Sequence, residues 1–180
     1  HIDLPFMPCD EEFIISSTGA LDLQKLPKKV AVIGGGYIGL ELGCALSRLG
    51  AEVTIIEGMD SVLAIMDKEI RRPVEIWLKK HKVVVHTQAM AKGAVVKGKG
   101  KSRKVHMTFE KNDEEQTIVV DKVLVTVGRR PNTKGWGLEN MGVRMDSSGR
   151  FIRIDDKCQT SVPGIYAIGD VASDPMLAHK

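Results

Sequence analysis

The stretch VAVIGGGYIGLELG, residues 30–43, sets five glycines directly behind a run of apolar, mostly β-branched residues. Fixing a glycine in regular structure costs roughly 0.5–1 kcal/mol relative to alanine, so a cluster this dense marks a place where side chains are excluded. Upstream, KVAVIG (29–34) has the composition of a buried strand. Downstream, apolar residues at 38, 42, 45, 46 and 49 recur near every 3.6 residues, and Gly50 stands where a helix C-cap belongs. EVTIIE (52–57) then reads as a second strand. Strand, glycine turn, helix and strand within about 30 residues make a βαβ unit, which lays the two strands parallel. The expected fold class is α/β, with a Rossmann-like parallel sheet.

The spacing Gly34-x-Gly36-x-x-Gly39, after a strand and at the opening of a helix, gives each glycine its own job. Gly34 permits the tight turn, Gly36 lets a pyrophosphate approach the backbone, and Gly39 lets the helix pack close to the strand. Free N–H groups and the helix dipole then face the phosphates. A Gly-rich packing turn without a ligand is the plainer alternative. The choice of dinucleotide falls to Glu57, eighteen residues after Gly39. Its carboxylate suits the adenosine ribose hydroxyls and repels a 2′-phosphate, and Gly58, Met59 and Asp60 follow it rather than an arginine. NAD is therefore expected over NADP. The motif by itself fits FAD equally well. Glu41 either reaches toward a nicotinamide or faces solvent.

The rest of the chain supports an α/β layer with an added β element. A helix is expected from Asp67, its cap, to Lys80, bent at Pro73; a start near Arg72 with Pro73 in the first turn is the alternative. A short strand follows at VVVH (83–86). GAVVKG, KVHMTFE and QTIVVDKVLVTVG read as strands of an antiparallel β-meander, with a hairpin at Asn112-Asp113. KGKGKSRK (97–104), five cations among two glycines, is a solvated hairpin tip or, alternatively, an anion site. Residues 1–27, with prolines at 5, 8 and 27, read as a connecting segment. A net charge of +3 over 180 residues argues for neither a nucleic acid nor a membrane surface as partner, and no apolar run approaches the ~20 residues of a membrane span. Cys9, Cys44 and Cys158 lie too far apart for metal-ligand spacing or a CxxC motif, and an odd count suits a reducing compartment. Cys44 reads as a small buried thiol on the first helix.

Two later stretches add to the picture. VTVGRRPNT (125–133) runs a strand into Gly128, and TSVPGIYAIGDVASDPMLAHK (160–180) runs a short strand into Gly169-Asp170 before a helix-like opening. Gly169-Asp170 places a carboxylate against a ligand's hydroxyls or is an ordinary turn. Together SSTGAL (16–21), GGGYIGLELG (34–43), GRRPNT (128–133), GIYAIGD (164–170) and PMLAHK (175–180) resemble the flavoprotein disulfide reductases, in order and at that family's spacing, with dihydrolipoamide dehydrogenases the nearest group. The resemblance covers nearly the whole chain.

What it implies is concrete. Gly34, Gly35, Gly36, Tyr37, Ile38, Gly39, Leu40 and Glu41 would line the NAD pyrophosphate and nicotinamide, Glu57 the ribose and Ala91 the adenine half, with Gly128 closing over the site. Asp170 would bind the ribityl chain of FAD, and Met176, Leu177, Ala178 and His179 would contact the flavin. Residues 1–28 would connect from the flavin domain, 29–155 would form the NAD-binding domain, and 156–180 would begin the returning flavin-domain segment. The redox-active cysteine pair, the flavin fingerprint and the acid–base histidine would lie before His1 and after Lys180, so the chain would be expected to hold no catalytic residue and no metal site, and alone would be inactive. The whole enzyme would be a homodimer that oxidises dihydrolipoamide on lipoyl-bearing carrier proteins of 2-oxoacid dehydrogenase or glycine cleavage complexes, passing electrons through an enzyme disulfide and FAD to NAD⁺. It would work in the mitochondrial matrix of a eukaryote or the cytoplasm of a bacterium. The rivals are another FAD-dependent NADH oxidoreductase, such as an NADH peroxidase or a mercuric reductase, and a non-catalytic interaction module that self-associates through an apolar tail at 160–180.

Overall fold

In a computed structural model, which describes residues 1–174 and 176, the chain packs as two compact units, His1–Gly128 and Arg129–Lys180. The first holds all of the regular strands and helices among the described residues: β1 (Ile14–Ile15), α1 (Ser17–Leu21), β2 (Lys29–Ile33), α2 (Tyr37–Arg48), β3 (Glu52–Ile56), α3 (Lys68–Lys80), β4 (Val84–His86), β5 (Ala89–Lys97), β6 (Lys104–Lys111), β7 (Glu114–Val120) and β8 (Lys122–Val125). Five strands form a parallel sheet in the order β1-β8-β2-β3-β4, and β5-β6-β7 form a separate antiparallel sheet. This is the expected α/β class with its meander. The segment expected as a connector supplies β1 and α1, and residues 129–155 pack in the second unit.

Strand alternation explains why the parallel sheet is covered on both faces. Val30 and Val32 of β2 point to a cluster with Leu40, Leu46 and Leu78 from the helices. Ala31 and Ile33 point the other way, to Val105, Met107 and Phe109 of β6, all three fully buried. The alternating burial of β6 lays one face of the meander on the sheet. Its β6–β7 turn has Asn112 and Asp113 both in the left-handed region, with φ of 54° and 61°, as a two-residue type I′ hairpin requires. The basic stretch 97–104 is the exposed tip between β5 and β6.

Two details depart from the sequence expectations. QTIVVDKVLVTVG is two strands in two sheets, broken at Asp121, whose Oδ2 accepts the N–H groups of Lys28 and Lys29 at 2.9 and 2.8 Å and whose Oδ1 meets Lys104 Nζ. Burial raises the Asp121 pKa, but the Lys104 contact and those backbone donors outweigh it and hold the carboxyl below its usual range. Helix α3 does start after Asp67 and runs through Pro73, yet the Asp67 side chain makes no capping bond; its carbonyl accepts from Ile70 and Arg71 instead. The ring of Pro73 removes the donor that would serve the carbonyl of exposed Glu69, where water can replace it. Helix α2 ends as expected at Gly50 (φ 107°), with Gly50 N–H to Ser47 O and Ala51 N–H to Leu46 O, both 3.0 Å, the paired bonds of a Schellman motif.

His86, at the end of β4, lies with its ring 4.9 Å from that of Phe109. Burial, then the charge of Lys111, lowers its pKa below the ordinary 6.5. The unfolded chain then binds the extra proton first as pH falls. This contribution to stability is complete above pH 6.5 and is lost as pH drops toward the folded value. Thermal melts from pH 7.5 to 5 are expected to show a smaller drop in His86→Gln than in the parent; parallel curves would count against this assignment.

The second unit has little regular structure. Isolated pairings Met145–Ile152 and Gln159–Tyr166 fold it around Val143, Ile152 and Ala167, and a short 3₁₀ turn covers Gly169–Val171.

Candidate functional site

The carboxyl ends of β2, β3 and β8 open together onto a cleft of about 490 Å³ in the first unit. In an open parallel sheet this end, where strand order runs to both sides of β2, is where ligands bind. The β2–α2 turn forms one wall. Gly34 has φ +101°, and a methyl there would lie 2.8 Å from Thr126 O, so both the turn and the neighbouring strand demand glycine. At Gly39 a methyl would lie 2.1 Å from Gly34 O and 2.6 Å from Thr126 Oγ1, so its absence lets α2 seat against the sheet.

Gly36 differs from both. It is the N-cap of α2, with φ −73° and ψ −178°, a conformation open to any residue, and a methyl there would meet nothing within 4 Å. No side chain caps this helix. Neither the backbone conformation nor the packing thus requires glycine at 36. It is exposed on the cleft wall, beside the opening N–H groups of α2.

Glu57, at the end of β3, lines the same cleft. Its Oε2 accepts the Gly35 N–H at 2.5 Å and its Oε1 accepts the Met59 N–H at 2.7 Å, which fixes the carboxylate against the glycine turn. Each oxygen keeps further acceptor capacity for a ligand hydroxyl. A Cβ-free approach over Gly36, uncapped helix amides and a fixed carboxylate one strand away fit a dinucleotide: amides for the diphosphate, carboxylate for a ribose.

Of the residues singled out from sequence, Gly34, Gly35, Gly36, Tyr37, Ile38, Glu57, Ala91 and Gly128 come together on this cleft. Gly39 and Leu40 are buried beneath it, Leu40 as part of the helix-side core, and Glu41 is exposed on α2 away from the cleft wall. Gly128 takes φ +139°, and its carbonyl accepts from Ile2 N at 3.0 Å. In the second unit, Asp170 sits in the 3₁₀ turn and accepts from Arg129 Nη2 at 3.3 Å. Met176 is partly buried, while Leu177, Ala178 and His179 lie outside the described residues.

The residue pattern matches that of pyridine nucleotide-disulphide oxidoreductases over residues 7–180. The chain belongs to this family. Similar proteins include the dihydrolipoyl dehydrogenase of Geobacillus stearothermophilus, 50% identical over 167 residues, which is 93% of this chain and 34% of the relative. The dihydrolipoyl dehydrogenase of Bacillus subtilis is 48% identical over 180 residues, 99% of this chain and 37% of the relative. The crystal structure of LpdA from Mycobacterium tuberculosis superposes with a TM-score of 0.81 at 31% identity, over 99% of this chain and 37% of that one. The chain therefore spans about a third of the length of the curated relatives it matches.

Family membership does not replace the contacts that sequence reading missed. Thr126, just past β8, donates its hydroxyl to Ile33 O at 2.9 Å and Gly34 O at 3.1 Å, pinning the glycine turn from the side. The signal was present: a threonine in an otherwise apolar strand end, VTVG. Met59, Met90 and the segment Leu63–Ile65 form an apolar wall that no local pattern announces. Its loop is tied in by Leu63 N–H to Gly35 O at 2.9 Å.

The cysteines do not form a redox pair: all three are free. Burial, then the carboxylates of Asp3 and Glu11, pushes the Cys9 thiol up to about 11, and burial also raises Cys44, which packs against the helix-side core.

Proposed function

We propose that this chain is the nucleotide-binding portion of a dihydrolipoyl dehydrogenase, selective for NAD, within a longer flavoprotein. His1–Gly128 is the dinucleotide-binding domain, and Arg129–Lys180, with Asp170 and Met176, is the flavin-side segment. The observation that carries this reading is Gly36: a glycine that the fold does not need, on a cleft wall that also presents Glu57. The amides of Gly36 to Ile38 bind the diphosphate. Glu57 accepts the ribose hydroxyls and disfavours a 2′-phosphate, and the apolar wall with Ala91 keeps water from the adenosine half. When bound, FAD and NAD supply the two-electron chemistry by which dihydrolipoamide is oxidised and NAD⁺ reduced; the protein's part is placement and electrostatics. The lipoyl group arrives on carrier proteins, the complete protein is a homodimer, and its compartment follows its source. With three free cysteines, two of them raised in pKa, this chain alone turns over no dihydrolipoamide.

Calorimetry of the purified chain against NAD⁺, NADP⁺ and FAD tests this. NAD⁺ is expected to bind most tightly, NADP⁺ more weakly, and FAD negligibly. A charge-assisted hydrogen bond is worth about 1.5–3 kcal/mol, so Glu57→Ala is expected to cut the NAD⁺ over NADP⁺ preference by roughly tenfold or more. A ratio left unchanged in Glu57→Ala assigns the selection elsewhere, and a folded chain that binds none of the three contradicts the proposal.

A further inference from the structure

Well before the glycine turn, the chain doubles back at Leu4–Met7, where Met7 N–H donates to Leu4 O at 2.8 Å and the two residues pair antiparallel. Met7 is 1% exposed, so the turn is anchored in the core. This return brings residues 1 and 3 beside residues 9–11. One ring nitrogen of His1, the sulfur of Cys9 and a carboxylate oxygen of Glu11 all lie within 4.8 Å of one another. We infer that these three groups form a binding site for a borderline divalent cation of the zinc class.

Each of the three donor residues makes a polar contact beside the site. Asp3 Oδ1 lies 3.1 Å from His1 Nε2 and accepts the Cys9 N–H at 3.4 Å. In carboxylate–histidine–metal arrangements a carboxylate beside the imidazole orients the ring for the ion. Glu11 Oε2 accepts the Ser16 N–H at 3.1 Å, which leaves its second oxygen available. The loop joining Cys9 to β1 is fixed by Asp10, whose Oδ1 accepts the N–H groups of Glu12, Phe13 and Ile14 at 2.8, 2.6 and 2.9 Å. His1, Glu11 and Ser16 line a surface cleft of about 690 Å³, so two of the three donors border open space.

The donor set selects the metal. Sulfur, imidazole and carboxylate together suit zinc and its borderline neighbours, whereas magnesium and calcium take oxygen ligands. The carboxylates of Asp3, Asp10 and Glu11 gather negative charge around the site. Tetrahedral zinc sets its donors about 3.5 Å apart, and rotation of the exposed His1 and Glu11 side chains closes the difference. Three protein ligands leave the fourth position to water. As the metal–sulfur bond forms, the Cys9 thiol releases its proton to solvent, and no group changes oxidation state.

Cobalt(II) titration of the reduced chain, followed by displacement with zinc, tests the site. One equivalent of cobalt is expected to bind and give a thiolate-to-cobalt charge-transfer band. The band is lost in Cys9→Ser and kept in Cys158→Ser. His1→Ala and Glu11→Gln are expected to weaken binding at least tenfold, and Asp3→Asn, which keeps all three donors, by roughly tenfold. Metal-free melting curves establish that each variant is folded. A band that survives Cys9→Ser overturns the inference, as does wild-type affinity in both His1→Ala and Glu11→Gln. Failure of the parent chain to take up one equivalent of cobalt or zinc overturns it as well.

Discussion

Gly39→Ala is expected to lower stability by about 3 kcal/mol, although alanine is favoured over glycine in a helix by about 1 kcal/mol. The added methyl would stand 2.1 Å from the carbonyl oxygen of Gly34, 2.6 Å from Thr126 Oγ1 and 3.2 Å from Val32 Cγ1. The first of these is backbone in a turn that cannot retreat. Gly34 is already at φ +101°, its N–H donates to Ile56 O at 2.9 Å, and Thr126 donates to its carbonyl. Relief must therefore come from α2 moving outward, which strips Leu40 and Leu46 from the core they share with Val32 and Val53. A loss of this size corresponds to a drop of roughly 6–12 °C in Tm for a chain of this length. Calorimetric melting checks it. A Gly39→Ala protein that melts with the parent would mean that the close helix–strand approach is not what holds the turn.

Gly36→Ala is expected to do the opposite: leave the fold nearly intact and remove the ligand. The backbone there is at φ −73°, ψ −178°, and the new methyl meets nothing within 4 Å, so the stability change should stay below about 1 kcal/mol, mostly the poorer N-cap. The same methyl occupies the face over which a diphosphate would approach the helix amides. A tenfold or larger fall in NAD⁺ affinity is expected, at least 1.4 kcal/mol by the definition of the constant. Melting and calorimetry on the same preparation separate the two effects. Unchanged affinity in a folded Gly36→Ala protein would show that the nucleotide lies elsewhere. With both results, positions 36 and 39, three residues apart on one helix start, would divide the motif into a part that serves binding and a part that serves packing.

That division also explains what could be seen in the amino-acid order. The βαβ unit, the glycine turn and the Asn112-Asp113 hairpin rest on local rules of period, turn conformation and spacing, and each lies where those rules placed it. Residues that meet only through the folded chain were hidden. β1 lies beside β8, more than a hundred residues away, and nothing in FII (13–15) announces that partner. Asp121 divides a stretch that reads as one strand because its carboxylate serves the amides of Lys28 and Lys29. That the glycine turn and Glu57 share one cleft was legible because a βαβ unit brings the end of its second strand beside its first turn. Thr126, Met59, Met90 and Leu63–Ile65 were not, because an apolar wall accepts many sequences. Leu40 and Glu41 follow the motif off the cleft wall, because a helix turns 100° per residue: Leu40 points into the core and Glu41 out to solvent.

The most direct measurement is amide chemical-shift mapping of the isotopically labelled chain during titration with NAD⁺. The amides of Gly35, Gly36, Tyr37 and Ile38 and those flanking Glu57 are expected to move in a saturable way, with the same titration in Gly36→Ala giving little change. Saturating NAD⁺ that leaves these amides in place, while the chain is folded, would contradict a nucleotide held by the opening of α2.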